Sequence, residues 1–215
     1  MRILWLLCIL LSLSSSIWAQ TNWRLPSYTP CSQTKSDSLE LVYGGNTKVF
    51  LAPFKQASLL ALAHYPTLKN TKIIFRYGNG KTSLTCRPKL STLHKKQRTY
   101  YIRINRKKFA DSSFLRVPFN AQVGVIGHEL AHIVDYENLR SKDIIHIGLR
   151  YGNKNFKKEY ERRIDSLTIT HGLGPQLYDW AQYILSDCTH CSKKYKKYKQ
   201  TFYMQPQEIK QQSNL

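Results

Sequence analysis

The sequence predicts an α+β fold: a small mixed sheet, a helix carrying His128-Glu129-Leu130-Ala131-His132, and a following helix carrying Glu161. Three observations predict it. Residues 99–105 (TYYIRIN) alternate aromatic or β-branched side chains with polar ones, the period of a half-buried strand. Residues 123–137 (VGVIGHELAHIVDYE) set two histidines and a glutamate among Val123, Val125, Ile126, Leu130, Ile133 and Val134, as expected of a helix in the middle of a domain. Residues 155–170 and 175–186 read as two further helices separated by Gly172-Leu173-Gly174-Pro175, the second with Leu177, Trp180, Ala181, Ile184 and Leu185 as its apolar stripe.

Taken in order, the chain begins with Arg2, an apolar run from Ile3 to Leu13, small polar residues and Ala19, the shape of a secretory signal peptide cleaved after Ala19. The run is short for a bilayer span. The mature chain is therefore expected to be exported: periplasmic, cell-envelope-associated or extracellular. Residues 20–45 read as an extended lead-in, 46–187 as the folded domain, and 188–215 as a basic tail. Within the domain, 53–65 predicts a helix that starts at Pro53 and stops before Pro66, with His64 as a surface or capping residue at its end. Residues 72–77 and 81–87, joined through Gly78-Asn79-Gly80, predict a hairpin. The strand at 99–105 either offers an edge to an extended peptide or lies inside the sheet. Pro118 and Asn120 introduce the central helix, Asn120 as its cap. Residues 139–154 read as a loop.

Composition narrows the partners. Thirty-three Lys and Arg against thirteen Asp and Glu give a formal charge of +20, which favours anionic partners. Export argues against nucleic acid, so the expected contact is an anionic membrane or envelope surface reached through the basic tail; a solvated face without a partner is the plain alternative. Beyond the leader lie Cys31, Cys86, Cys188 and Cys191, an even number compatible with structural disulfides in an oxidising compartment. Cys188-Thr189-His190-Cys191 alternatively reads as a metal or redox motif. Oligomeric state is not legible.

The central helix carries the chemistry. Residues four apart on an α-helix lie on one face, so His128 and His132 present two imidazoles to one metal ion. Zn2+ accepts neutral imidazole nitrogen, needs a third protein ligand and keeps one position open. Glu129, beside the first histidine, is placed to take a proton from a water and pass it to a leaving amine. This is the metalloprotease H-E-x-x-H pattern. The metzincin continuation requires glycine and histidine where Asp135 and Asn138 stand, which excludes that class. His146 and His171 offer one route to a third ligand. Glu161 offers a better one, because Glu161 and Asp165 share a helix face, so that one carboxylate can bind metal while the other orients a ligating imidazole. Glu159 lies about 200° around the helix from Glu161, so the two cannot serve the same metal.

With Glu161-Arg162-Arg163-Ile164-Asp165 downstream of H-E-x-x-H, the chain resembles the gluzincins, especially the minigluzincin and M48-like metallopeptidases, whose second motif is E-x-x-x-D. Ile164 replaces the usual alanine. The resemblance covers the two motif helices and, more loosely, residues 50–187. It implies a zincin-like fold, Glu161 as third zinc ligand, Asp165 holding His128, and a peptide or protein substrate. It also implies an oxyanion-stabilising tyrosine or histidine, for which Tyr136, His146, Tyr151, Tyr160 and His171 are available. Two other readings remain open at this point: a basic envelope-binding protein that keeps the fold with little peptidase activity, and a zinc amidase acting on a non-peptide amide.

Overall fold

The computed structural model describes residues 27–79, 82–94, 96–105 and 114–214. The leader expected at 1–19 lies outside them. Four strands form one sheet in the order β1 (Lys48–Val49), β2 (Lys72–Gly78), β4 (Thr99–Asn105), β3 (Leu84–Pro88). β1 and β2 are parallel, as are β2 and β4, whereas β3 runs antiparallel to β4. The expected hairpin between residues 72–77 and 81–87 is thus not formed: β4 inserts between its two arms. The register explains the preference. Ile73 and Phe75 of β2 align with Tyr100 and Ile102 of β4, and Leu84 and Cys86 of β3 align with Ile104 and Ile102, so one fully apolar face is continuous across three strands. β4 lies inside the sheet, beside β2, and β3 is one of its two edge strands, where Pro88, lacking an N–H, is tolerated.

Helices cover that apolar face. α1 (Gln33–Leu39) is capped by Ser32, whose hydroxyl accepts from Lys35 N–H. It corrects the expectation that residues 20–45 run extended as far as they are described. α2 (Lys55–Ala63) starts after Pro53 and is buried along most of its length. His64 at its end is 1% exposed, not a surface residue: Nε2 meets Tyr28 Oη at 2.8 Å and Nδ1 meets the His171 carbonyl at 2.8 Å. Lys48 of β1 points its ammonium into the carbonyls of Leu68, Lys69 and Thr71 at 2.7–3.0 Å, closing the turn that feeds β2.

α3 (Phe119–Glu137) is the central element, with nearly all its side chains buried. Asn120 does not cap it; the helix begins one residue earlier, and the Asn120 amide instead accepts from Tyr28 N–H and donates to Asp179, each at 2.6 Å. The Arg98 guanidinium ties down the end of α3, donating to Tyr136 O in the last turn and to Leu139 O just beyond the helix. The region expected as a loop contains α4 (Ser141–Arg150), anchored by Ile144 with Ile145 and Leu149 left exposed. α5 (Lys154–Thr168) is capped by the Asn153 side chain. α6 (Gly174–Gln182) packs across α3 at Gly124, where an added Cβ would meet the Gln176 carbonyl oxygen at 2.1 Å.

Residues 188–214 are not a tail. α7 (Lys193–Phe202) and α8 (Pro206–Gln212) fold back onto α5 and α6, burying Tyr195 and Ile209. Cys188 and Cys191 form a disulfide at the α6–α7 junction, with His190 Nε2 3.1 Å from Cys188 Sγ. Cys31 and Cys86 are free. No helix among the described residues is long and apolar enough to cross a membrane.

Candidate metal centre

α3 and α5 lie side by side, which brings His128, His132 and Glu161 to one point. One ligand atom from each lies within 4.8 Å of the other two. Glu161 Oε2 is 3.2 Å from His128 Nε2 and 3.6 Å from His132 Nε2. Tetrahedral zinc with bonds of 2.0–2.2 Å separates its ligand atoms by roughly 3.4 Å. The donor set and these two separations therefore fit a zinc-sized ion. Glu159, His146 and His171 do not enter the cluster: Glu159 and His146 are exposed, and His171 Nδ1 meets the His64 carbonyl at 3.0 Å.

All three side chains are almost fully buried, as is Glu129 at 6% exposure. Burial of four ionisable groups in one place is costly unless they compensate one another. Burial opposes protonation of His128, but hydrogen bonds to Asp165 and Glu161 outweigh it and raise its pKa to about 10. Burial would raise Glu161, but the two imidazoles hold it well below the ordinary carboxylate range. Burial raises Glu129 above its usual value, partly offset by His132 and His128. A buried carboxylate whose pKa is raised takes up a proton more readily than a solvated one, which suits a group that accepts a proton and later returns it.

The two imidazoles are supported differently. His128 Nδ1 meets Asp165 Oδ1 at 2.9 Å, fixing the ring with Nε2 toward Glu161. His132 Nδ1 has no hydrogen-bond partner among the described residues; its ring is held by Tyr136, stacked at 6.1 Å, and Tyr160 at 5.5 Å between centroids. Tyr160 donates to Asp135 at 2.9 Å, and Arg163 grips the same carboxylate with two bonds of 2.7 and 2.9 Å. Asp135, which stands where the metzincin pattern has glycine, thus joins α3 to α5 one turn beyond His132.

Of the expected oxyanion candidates, Tyr151 reaches the cluster and donates to Glu161 Oε1. Tyr136 and Tyr160 flank His132, while His146 and His171 lie elsewhere. Sequence reasoning missed the contribution of the C-terminal segment. The Tyr203 ring sits 5.6 Å from the His128 ring, with Lys199 Nζ 3.5 Å above its own centroid. Burial, then Glu161, pushes its hydroxyl well above the usual tyrosine range. The signal was present: Tyr195, Tyr198 and Phe202 repeat at helical spacing among the lysines, an amphipathic helix rather than a charge run. Gln205-Pro206-Gln207-Glu208 is a capping box with proline at its first helical position. On the other side of α3, β3 brings Cys86 beside Glu129, where burial and that carboxylate both raise its thiol pKa.

In comparisons with protein-family models, curated proteins and solved structures, nothing matches this chain. The fold is nonetheless a mixed α+β arrangement in which an H-E-x-x-H helix and a glutamate helix frame a His/His/Glu cluster able to chelate a metal, as in the zincins.

Proposed function

We propose that this chain is an exported zinc-dependent metallopeptidase of the gluzincin type, cleaving peptide bonds in a peptide or protein substrate. One observation carries the reading: Glu129, buried and with a raised pKa, stands in the same helical turn as His128 beside a compact His/His/Glu donor set. A purely structural zinc site has no use for that carboxylate. His128, His132 and Glu161 would hold the zinc, which when bound would supply a Lewis acid for a carbonyl oxygen and for a water. Glu129 then takes the proton of the attacking water on its carboxylate and delivers it to the leaving amine nitrogen. Asp165 keeps His128 in the tautomer whose Nε2 is free to bind. The open edge of β3, packed against α3, offers backbone N–H and C=O groups along which an extended peptide can lie.

The leader-like residues 1–19 would deliver the protein to the periplasm, envelope or exterior, and the lysines of α7 would hold it against an anionic surface. Zinc is the expected metal because two imidazoles and one carboxylate with an open position are its usual catalytic set.

Glu129→Gln tests the catalytic assignment. It retains the ligands and removes the proton acceptor, so zinc content stays near one per chain while peptide hydrolysis falls by roughly two to four orders of magnitude. A zinc-loaded wild type that cleaves nothing in a diverse peptide library rejects the peptidase reading.

A further inference from the structure

Asp165 is held from two sides. Oδ1 faces His128 Nδ1 at 2.9 Å, and Oδ2 accepts the backbone N–H of Met204, also at 2.9 Å. Met204 lies in the short connection between α7 and α8, thirty-nine positions along the chain from Asp165. That connection is itself fastened to α5. Arg162 pairs through its two terminal nitrogens, Nη1 and Nη2, with the Glu208 carboxylate, the Nη1 bond measuring 3.0 Å, and Nη1 also donates to Tyr203 O at 3.4 Å. Glu208 Oε2 in turn accepts Gln205 N–H at 2.7 Å, completing the capping box that starts α8. Hydrogen bonds joined by the covalent 204–205 backbone therefore link Glu208 to Asp165 and on to His128.

We propose that residues 203–208 form a positioning element of the metal site, in which the Met204 amide fixes Asp165 and Asp165 fixes the His128 imidazole, with the Arg162–Glu208 pair as its latch. Two physical facts carry this. A carboxylate that is itself hydrogen-bonded has one orientation rather than several, and the imidazole it holds inherits that order. The donor is a backbone amide, so no change of the Met204 side chain can supply or remove it except proline. Asp165 is 2% exposed, so water is poorly placed to replace the lost donor. Neither Met204 nor Glu208 touches a reacting atom; both act through Asp165.

The inference rests on the metal-site reading above, and its test separates the two. Apparent zinc affinity is measured by competition with a chromophoric chelator, and ligand geometry by the visible absorption of the cobalt(II)-substituted protein. Met204→Pro deletes the amide hydrogen; Tyr203 before it is already extended (φ −110°, ψ 163°), the conformation a following proline requires. Met204→Ala keeps the amide and removes the side chain. Met204→Pro is expected to weaken zinc binding about tenfold or more and to alter the cobalt spectrum, with Met204→Ala close to wild type. Glu208→Ala should move affinity in the same direction by a smaller factor. Glu208→Gln, which keeps an oxygen for Arg162 and the Gln205 amide, should fall between Glu208→Ala and wild type. If Met204→Pro fails to fold, the order of the two Glu208 variants decides. A Met204→Pro protein that binds zinc as Met204→Ala does, or Glu208 variants that change only unfolding temperature, overturns the proposal. A wild type that takes up no zinc overturns the metal-site reading itself and this inference with it.

Discussion

At the residue scale, the cluster stores opposite charges that a metal would replace. His128 is raised to about 10 from an ordinary 6.5 because Asp165 and Glu161 outweigh its burial. Its contribution to the stability of the metal-free protein is complete below about pH 6.5 and is lost as pH rises through about 10. Glu161 is shifted down from 4.5, so its contribution is present above that pH and is lost in acid. Bound zinc needs His128 deprotonated at Nε2, and therefore competes with the proton more successfully as pH rises. Between about pH 6 and about pH 9 the unfolding temperature of chelator-treated protein should fall while the gain on adding zinc grows. Thermal unfolding with and without zinc across that range checks the sign; a zinc increment that shrinks toward alkaline pH contradicts the assignment of His128 as a ligand.

At the element scale, the position of α3 depends on close approach. Gly124 lies against the α6 backbone, with the Gln176 carbonyl carbon and Leu177 nitrogen within 2.3 and 2.7 Å of an ideal Cβ. Backbone cannot rotate away, so Gly124→Ala should destabilise the fold by about 3 kcal/mol in urea unfolding. In Gly127→Ala the one close clash is with Leu173 Cδ1, at 2.3 Å, the end of a side chain that can change rotamer, and about 1 kcal/mol is expected. Equal losses would mean that α6 moves freely on α3. The same helix shows what was legible in the sequence and what was not. His128 and His132 are four apart, a local relation that helical geometry alone decides, and Glu161 with Asp165 follow the same rule on α5. Strand pairing is not local: β2 and β3 look like a hairpin because a turn sequence joins them, and only the apolar register of β4 against both overrides that signal. α4 is obscured because Gly148, a poor helix former, stands inside it, although Ile144, Ile147 and Tyr151 recur at helical spacing along its packed face. α7 was hidden by its own lysines, which mask the spacing of Tyr195, Tyr198 and Phe202.

At the scale of the whole molecule, part of the excess charge lies on α7. Lys193, Lys194 and Lys197 lie exposed on α7, while the aromatic residues between them face inward and Lys157 sits within 4.8 Å of the Tyr198 and Phe202 ring centroids. Deleting residues 192–215 would therefore strip packed surface from α5 and α6 rather than remove a free tail. Replacing Lys193, Lys194 and Lys197 by glutamine removes charge and keeps the fold. Each lysine near an anionic bilayer contributes about 1 kcal/mol, so the triple variant should be retained less on anionic vesicles and with a shallower salt dependence. Retention equal to wild type would place the contact elsewhere. The bond between Met204 and Asp165 has a consequence in the opposite direction from catalysis. Coupling between two events is reciprocal: if an ordered C-terminus tightens the grip on the metal, the metal tightens the grip on the C-terminus by the same factor. Loading the site would then decide how often residues 203–214 come undone, and metal supply would set the lifetime of the chain in the presence of proteases.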